Sequence, residues 1–541
     1  MGRVGTVVLA AGKGTRMKSR TPKVLHRVGG RAMLEHVLRA ADVAVAADAA
    51  EGEPGASASA EDDSSKPPLV VVVGHEREQV QRALTWTPQH ATLSYVEQEP
   101  QLGTGDAVRT ARATFTESPQ PPETILVLYG DTPLVRAETL RGLLAEHARS
   151  RATLTFLTAI ADDPVATGYG RILRDAGGRV RGIVEQRHAT AEELRIPEVN
   201  TGIYCFAAEW LWGHLNALEP HPNGEYYLTD LVDVAVREGQ SVATTTAPLE
   251  ETMGVNDRVA LAEAECILRE RTNRELMLAG VTLDDPATTY IEPGVRIGRD
   301  TIVHPGTTIR GATVIGAGCE IGPQSVIADS RIGDGCRVLG SWVESAVMES
   351  GSQVGPMSHL RPGAHLNPGA NVGNFGEVKN ATLGEGVQMH HFSYLGDATV
   401  GAETNVGAGT ITMNYDGREK HHTEIGERVF LGCDTLLKAP VTLGDGAATG
   451  GGAVVTRDVP AGKLVVGMPA REMRRVRSQP PRENGHQTET TTDSDDAPRE
   501  GGARDGAALD AAPDAGSDPV HDDSSPADGA RPRGAAAGER E

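Results

Sequence analysis

From Ile291 onward an aliphatic residue returns every six positions (Ile291, Ile297, Val303, Ile309, Ile315, Ile321, Ile327), often followed by a small or turn-forming residue, mostly Gly. A period of six matches neither the 3.6-residue turn of a helix nor the two-residue alternation of an ordinary strand. It predicts a parallel β-helix, in which each short strand turns one aliphatic side chain inward and three strands complete a coil. The register slips near Ile332, resumes at Val354, Leu360, Leu366, Val372 and Val378, and recurs at Ile425, Leu431, Leu437 and Leu443. Residues 281–477 are the expected span of this solenoid.

A solenoid rod or interaction scaffold needs only its buried aliphatics, and one stretch carries more than that. Between Gly376 and Lys420 the rhythm breaks, and Glu377, Lys379, His390, His391, Tyr394, Asn405, Asn414, Tyr415 and Lys420 accumulate. Polar groups gathered where the repeat fails point to a site.

The chain has 541 residues, of which 39% are hydrophobic, enough for several domains with cores of their own. Its net charge of −22 is unevenly spread. Residues 478–541 hold 6 basic and 15 acidic side chains, a net of −9, and residues 47–66 hold 1 and 6, a net of −5. Both segments are rich in Ala, Gly, Pro, Ser and Asp and poor in aromatics, a composition that cannot bury enough surface to fold, so a disordered tail and a disordered loop are expected. The remaining −8 argues against nucleic acid as a partner, and any phosphate must be held by a few local cations.

Five cysteines (Cys205, Cys266, Cys319, Cys336, Cys433) are odd in number, scattered and without metal-ligand spacing, which suggests a reducing, cytoplasmic compartment. The apolar run Val7–Ala11 is too short for a signal-peptide core, and no stretch is long enough for a membrane span.

Residues 1–255 read as α/β. Val4–Ala11, Leu69–Val73 and Thr124–Leu128 are strand-like runs, each soon followed by Gly or Asp, and Leu34–Val45 has helical periodicity. Alternating strands and helices imply a mostly parallel, Rossmann-like sheet with ligands beyond the carboxyl ends of its strands. Residues 256–280 read as one long joining helix, with Asn256 or Asp257 able to cap its start and Gly280 its end.

The first chemical motif is Leu9-Ala10-Ala11-Gly12-Lys13-Gly14-Thr15-Arg16-Met17, followed by Pro22-Lys23. Small residues after a strand let backbone N–H groups approach a polyphosphate, and Arg16 and Lys23 add fixed positive charge. The spacing is neither that of a P-loop nor that of a dinucleotide fingerprint. Further along stand Gln98, Gln101-Leu-Gly-Thr-Gly105, Tyr129-Gly130-Asp131, Gly168-Tyr-Gly170, Glu185, Asn200-Thr-Gly202, Gly224-Glu-Tyr-Tyr-Leu-Thr229 and Val255-Asn256.

This order of motifs resembles the sugar-nucleotide pyrophosphorylases. Joined to a hexapeptide solenoid, it is similar to the bacterial family that couples glucosamine-1-phosphate N-acetyltransferase to N-acetylglucosamine-1-phosphate uridyltransferase activity. The resemblance runs from about residue 4 to about residue 475. It implies an α/β nucleotidyltransferase fold followed by a left-handed parallel β-helix, and two enzyme reactions that yield UDP-N-acetylglucosamine. It implies Mg²⁺ on Asp131 and Asn256, both hard oxygen donors. It places Leu9, Ala10, Ala11, Gly12, Lys23, Gln98, Gly103, Thr104, Tyr129, Gly130 and Asp131 around UTP, with Arg16 and Lys23 as catalytic residues of uridylyl transfer. Gly170, Glu185, Asn200 and Thr229 would hold the acetylated sugar.

For acetyl transfer, an amine nucleophile needs a base of near-neutral pKa, and histidine suits that task. The spacing His391-Phe-Ser-Tyr394-Leu-Gly-Asp397 matches the family and selects His391 over His390 as the base. By the same resemblance Arg361, Lys379, Tyr394, Asn405 and Lys420 would hold the sugar phosphate acceptor. Glu377 and Asn414 would orient base and sugar. Ala408, through its backbone N–H, would join Asn414, Tyr415, Cys433 and Gly451 along acetyl-CoA. Cys433 and Gly450-Gly451-Gly452 depart from the family's usual residues there. The resemblance further implies a homotrimer with sites built between neighbouring solenoids. A pyrophosphorylase with a purely structural or regulatory solenoid is the alternative: it would keep Arg16, Lys23 and Asp131 but have no need of the His391 set.

Overall fold

The computed structural model describes residues 2–46, 66–74 and 76–475. The acidic tail from residue 478, and all of the acidic loop except Lys66, lie outside the described residues.

Val4–Ala10 sits near the centre of a nine-stranded sheet, between Pro68–Val73 and Thr124–Tyr129, and is parallel to both. Thr92–Glu97 extends the sheet in parallel on one side. Val7, Val70 and Val127 face one layer of helices while Val8, Val71, Leu126 and Leu128 face the other, so each central strand is buried on both sides. That is why these runs read as continuously aliphatic. Thr104–Thr116 and Asp230–Arg237 cover the first face through Val108, Phe115, Leu231 and Val232. Met33–Val45 and Ala137–Ser150 cover the second through Leu34, Leu38, Leu140 and Leu143. Two strands of this mostly parallel sheet run against the rest: the ten-residue Glu198–Ala207, antiparallel between Thr124–Tyr129 and Leu154–Ile160, and Val180–Val184, antiparallel to Arg171–Arg174, which in turn pairs antiparallel with Glu198–Ala207. Val242–Ala247, parallel to Leu154–Ile160, forms the edge.

The joining helix is Arg258–Leu278, and Asp257 rather than Asn256 caps it, accepting from the N–H groups of Val259 and Ala260 at 3.0 Å each. Ala264 and Leu268 pack on Val28, Met33, Leu134 and Val255 of the first domain. Glu265 accepts from the Gly29 N–H at 2.7 Å, while Asn273 donates to the carbonyls of Pro286 and Thr289 at 2.9 and 3.0 Å. One helix is thus bonded to both of its neighbours.

Beyond it the chain winds as a left-handed parallel β-helix. Ile309 pairs with Ile327 and Leu360 with Val378, steps of 18 residues, as three hexads require. Where the repeat slips, Ile327 pairs with Val343 and Ile332 with Met348, steps of 16: the turns shorten and the inward column stays intact. Val406 pairs with Leu431 and Thr412 with Leu437, steps of 25, the surplus protruding as a loop bridged between Tyr415 and Lys420. Buried hydroxyls occupy the small positions and satisfy turn carbonyls, as Thr301 does for Gly316 and Thr404 for Gly426, both at 2.9 Å. The last pair, Lys463–Gly467 and Ala470–Arg475, is antiparallel.

Candidate active sites

Three parallel strands of the α/β sheet end side by side. Leu9 and Ala10 close Val4–Ala10, Ala11 and Gly12 follow, and Tyr129 closes its neighbour, with the Gly130 N–H donating to the Leu9 carbonyl at 2.9 Å. Gln101 reaches across from the next connection to the Ala11 carbonyl at 2.6 Å. The Val255 N–H donates to the Asp131 carbonyl at 2.8 Å, which carries Asn256 to the same spot. Lys23, in the short helical turn Lys23–Leu25, then pairs with the Asp131 carboxylate and lies 3.1 Å from the Asn256 side-chain oxygen. Three segments remote in sequence meet at one charged centre. Arg16, in the turn Thr15–Met17, is exposed and makes no ion pair among the described residues.

Gln98 is buried and donates to the Gly103 carbonyl at 3.0 Å and to Asp106 at 2.7 Å. Gly103 has φ 94° and caps the helix starting at Thr104; a Cβ there would stand 2.6 Å from the Tyr226 carbonyl oxygen, so only glycine fits. The Thr104 hydroxyl accepts from the Leu228 N–H at 3.0 Å and lies beside the Tyr129 phenol, whose pKa is pushed above its ordinary value by burial. Across the mouth, the Asn200 N–H donates to the Gly170 carbonyl at 2.9 Å, and the Asn200 side chain is tied to the Tyr204 hydroxyl at 2.8 Å. Glu185, half-buried just after Val180–Val184, lies near enough to act on Tyr129 and Tyr204, and Thr229 immediately precedes Asp230–Arg237.

On the solenoid, Arg361, Glu377, Lys379, Tyr394 and Asn414 occupy one face. Glu377 pairs in register with Tyr394, and its carboxylate accepts from Arg361 at 2.7 Å. Lys420, brought over by the protruding loop, lies against Lys379; this neighbouring charge, with Arg361 adding to it, pulls the Lys379 ammonium below its ordinary pKa. Three cations converging without an equal number of carboxylates make a place for an anion. Asp397 lies near the two lysines and accepts from the side chains of Asn380 and Asn414. Burial pushes its carboxyl up, but the side-chain amides of Asn380 and Asn414, with Lys420 and Lys379 nearby, outweigh that and hold it below the usual range.

His391 stands at the adjoining corner, exposed beside His390, in a groove of about 320 Å³ lined by Arg337, Gln353, Asn371 and Asn374. The turn packs tightly on the coil before it, since a Cβ at Gly373 would stand 2.2 Å from the His390 carbonyl oxygen. Asn405 pairs with Phe430 in the strand column of Gln353, Asn371 and Gln388. Within one chain, therefore, His391 and Asn405 are not bonded to the cationic cluster. Ala408 lies in the turn after Asn405–Val406, half-buried, while Tyr415, Cys433 and Gly451 are exposed on the loop and the later turns. All five cysteines are unpaired.

Comparison with known proteins bears on both regions. The MobA-like NTP transferase domain family matches residues 6–196. A glucose-1-phosphate thymidylyltransferase structure from Bacillus anthracis aligns with a TM-score of 0.37 at 17% identity, over 49% of this chain and 94% of its own. The bifunctional protein GlmU of an Exiguobacterium species is 46% identical over 462 residues, 85% of this chain and 96% of the relative. GlmU of Pelobacter propionicus is 45% identical over 469 residues, covering 86% and 96%, and GlmU of Enterococcus faecalis 45% over 462 residues, covering 85% and 94%. The chain belongs to the GlmU family. At 462 and 469 residues the GlmU matches are too long for either domain alone and run across the joining helix.

Some site residues in this GlmU-family chain escaped sequence reasoning. Asp397 stood inside the quoted histidine motif without a role, and Asn380 carried no signal beyond its neighbour Lys379. Tyr226 acts through its backbone, accepting from the Gly105 N–H at 2.9 Å and donating to the Leu102 carbonyl at 2.8 Å. Backbone contacts of that kind leave no trace in residue type.

Proposed function

We propose that this chain makes UDP-N-acetylglucosamine in two steps: acetyl transfer from acetyl-CoA to glucosamine-1-phosphate on the solenoid, then uridylyl transfer from UTP on the α/β domain. The observation that carries the reading is the meeting of Lys23, Asp131 and Asn256 at the carboxyl ends of parallel strands, in a chain of the GlmU family.

In the first step the sugar amine attacks the thioester carbonyl, His391 takes the proton the amine must lose, and coenzyme A leaves as a thiolate to which that proton is returned. Arg361, Lys379 and Lys420 hold the sugar phosphate, which relieves the repulsion among them. Tyr394 and Asn405 hold the ring; the Ala408 N–H faces the developing oxyanion. Asn414, Tyr415, Cys433 and Gly451 lie along coenzyme A. Because His391 and Asn405 are separated from the cations within one chain, a neighbouring solenoid would close the site, which supports a homotrimer. Met357, Phe375 and Phe392, three exposed apolar residues at one position of successive coils, supply surface for such an assembly.

In the second step a phosphate oxygen of N-acetylglucosamine-1-phosphate attacks the α-phosphorus of UTP and pyrophosphate leaves. Arg16 and Lys23 offset the charge on the triphosphate; Gln98, Gly103, Thr104 and the Leu9–Gly12 turn hold the nucleoside; Gly170, Glu185, Asn200 and Thr229 hold the sugar. The donor set suits Mg²⁺: Asp131 and Asn256 offer hard oxygens, and the Lys23 ammonium against both marks a place for positive charge. When bound, the ion would share phosphate charge during transfer. Asp131→Asn tests the assignment. Uridylyl transfer should fall by on the order of 10² or more with its Mg²⁺ dependence shifted upward, while acetyl transfer continues; normal uridylyl transfer at limiting Mg²⁺ would reject it.

A further inference from the structure

Arg171 is fully buried, at 0% exposure, and is among the largest of the fully buried side chains of the described residues. Arginine is rarely enclosed unless paired with a carboxylate, because its charge must leave water. Among the described residues Arg171 has no such partner. Its guanidinium donates instead to the Tyr169 and Pro164 carbonyls, to the Gln186 side-chain oxygen at 3.3 Å and to the Leu194 carbonyl at 3.4 Å. Each acceptor lies on a connection between strands. Pro164 and Tyr169 belong to the connection leading into Gly170, and Gln186 and Leu194 to the connection leaving Glu185. On its own strand Arg171 pairs with Val199, next to Asn200, whose N–H is held by the Gly170 carbonyl. The fork-shaped guanidinium is thus the common point of both loops, with Gly170, Glu185 and Asn200 as the adjacent residues.

We propose that Arg171 is a positioning residue for the sugar-phosphate half of the uridylyl-transfer site, acting through Gly170, Glu185 and Asn200 without touching substrate. This rests on the uridylyl-transfer reading given above. A point charge cannot replace it, since one ammonium has three donors on a single atom where these acceptors lie around a planar fork. The nucleoside side, built on Gln98, Gly103 and Thr104, has no bond to Arg171 and should be indifferent to its loss.

Full-length Arg171→Lys and Arg171→Met, with wild type alongside, would be assayed for KM toward N-acetylglucosamine-1-phosphate and UTP separately, for acetyl transfer and for thermal unfolding. KM for the sugar phosphate should rise about tenfold or more while KM for UTP and kcat stay within about threefold and acetyl transfer is unchanged. Arg171→Ala should regain sugar affinity when methylguanidinium is added at millimolar concentration. Equal losses toward both substrates, or unaltered sugar KM in Arg171→Lys and Arg171→Met, would overturn the inference, as would failure of both to fold. Wild type without uridylyl transfer would instead remove the reading on which the inference depends.

Discussion

Two adjacent histidines and one aspartate carry the sharpest consequences at the residue scale. If His391 is the proton acceptor proposed above, His391→Ala should lower acetyl transfer by about 10² to 10⁴ and leave uridylyl transfer, which runs in the other domain, intact. His390→Ala, beside it in the same groove, should cost less than about tenfold; the reverse ranking in a direct acetyl-transfer assay would make His390 the base. Asp397 bears on stability. Its folded pKa is depressed, so it stabilises the fold above its unfolded value and that contribution fades as pH falls through the folded one. Asp397→Asn should therefore melt lower than wild type at pH 7, with the gap closing below about pH 4. A gap that persists unchanged at pH 3 would assign the loss to packing rather than charge. His391 was legible in the sequence because its spacing to Tyr394 and Asp397 is covalent. The partner of Glu377 was not: Arg361 and Glu377 meet only because one coil of the helix separates them.

At the scale of elements, periodicity revealed what burial enforces and missed what tertiary pairing decides. The hexads from Ile291 to Ile327 were readable because each inward residue must be aliphatic whatever its neighbours. The antiparallel Glu198–Ala207 was not, since the same alternation suits a strand in either direction and its neighbours are set by the sheet. The protruding loop was visible only as a failure of the repeat, yet it delivers Lys420 to Lys379. Replacing residues 415–420 by a two-residue turn should reduce acetyl transfer on the order of 10²-fold or more by removing one of three converging cations, with uridylyl transfer unaffected. Acetyl transfer within about threefold of wild type in that variant would show that the loop does not serve the site.

For the whole molecule, a single helix bonded to both neighbours joins two polar clusters, one at Lys23, Asp131 and Asn256 and one at Arg361, Lys379 and Lys420. No helix among the described residues is long and apolar enough to cross a membrane. The two-step reading is tested most directly by incubating the purified full-length chain with glucosamine-1-phosphate, acetyl-CoA, UTP and Mg²⁺ and following UDP-N-acetylglucosamine. The account predicts product that requires all four components, with free coenzyme A and pyrophosphate released in equal amounts. Product formed only when N-acetylglucosamine-1-phosphate is supplied in place of glucosamine-1-phosphate, with no coenzyme A released, would contradict it and leave a uridylyltransferase carrying a structural solenoid.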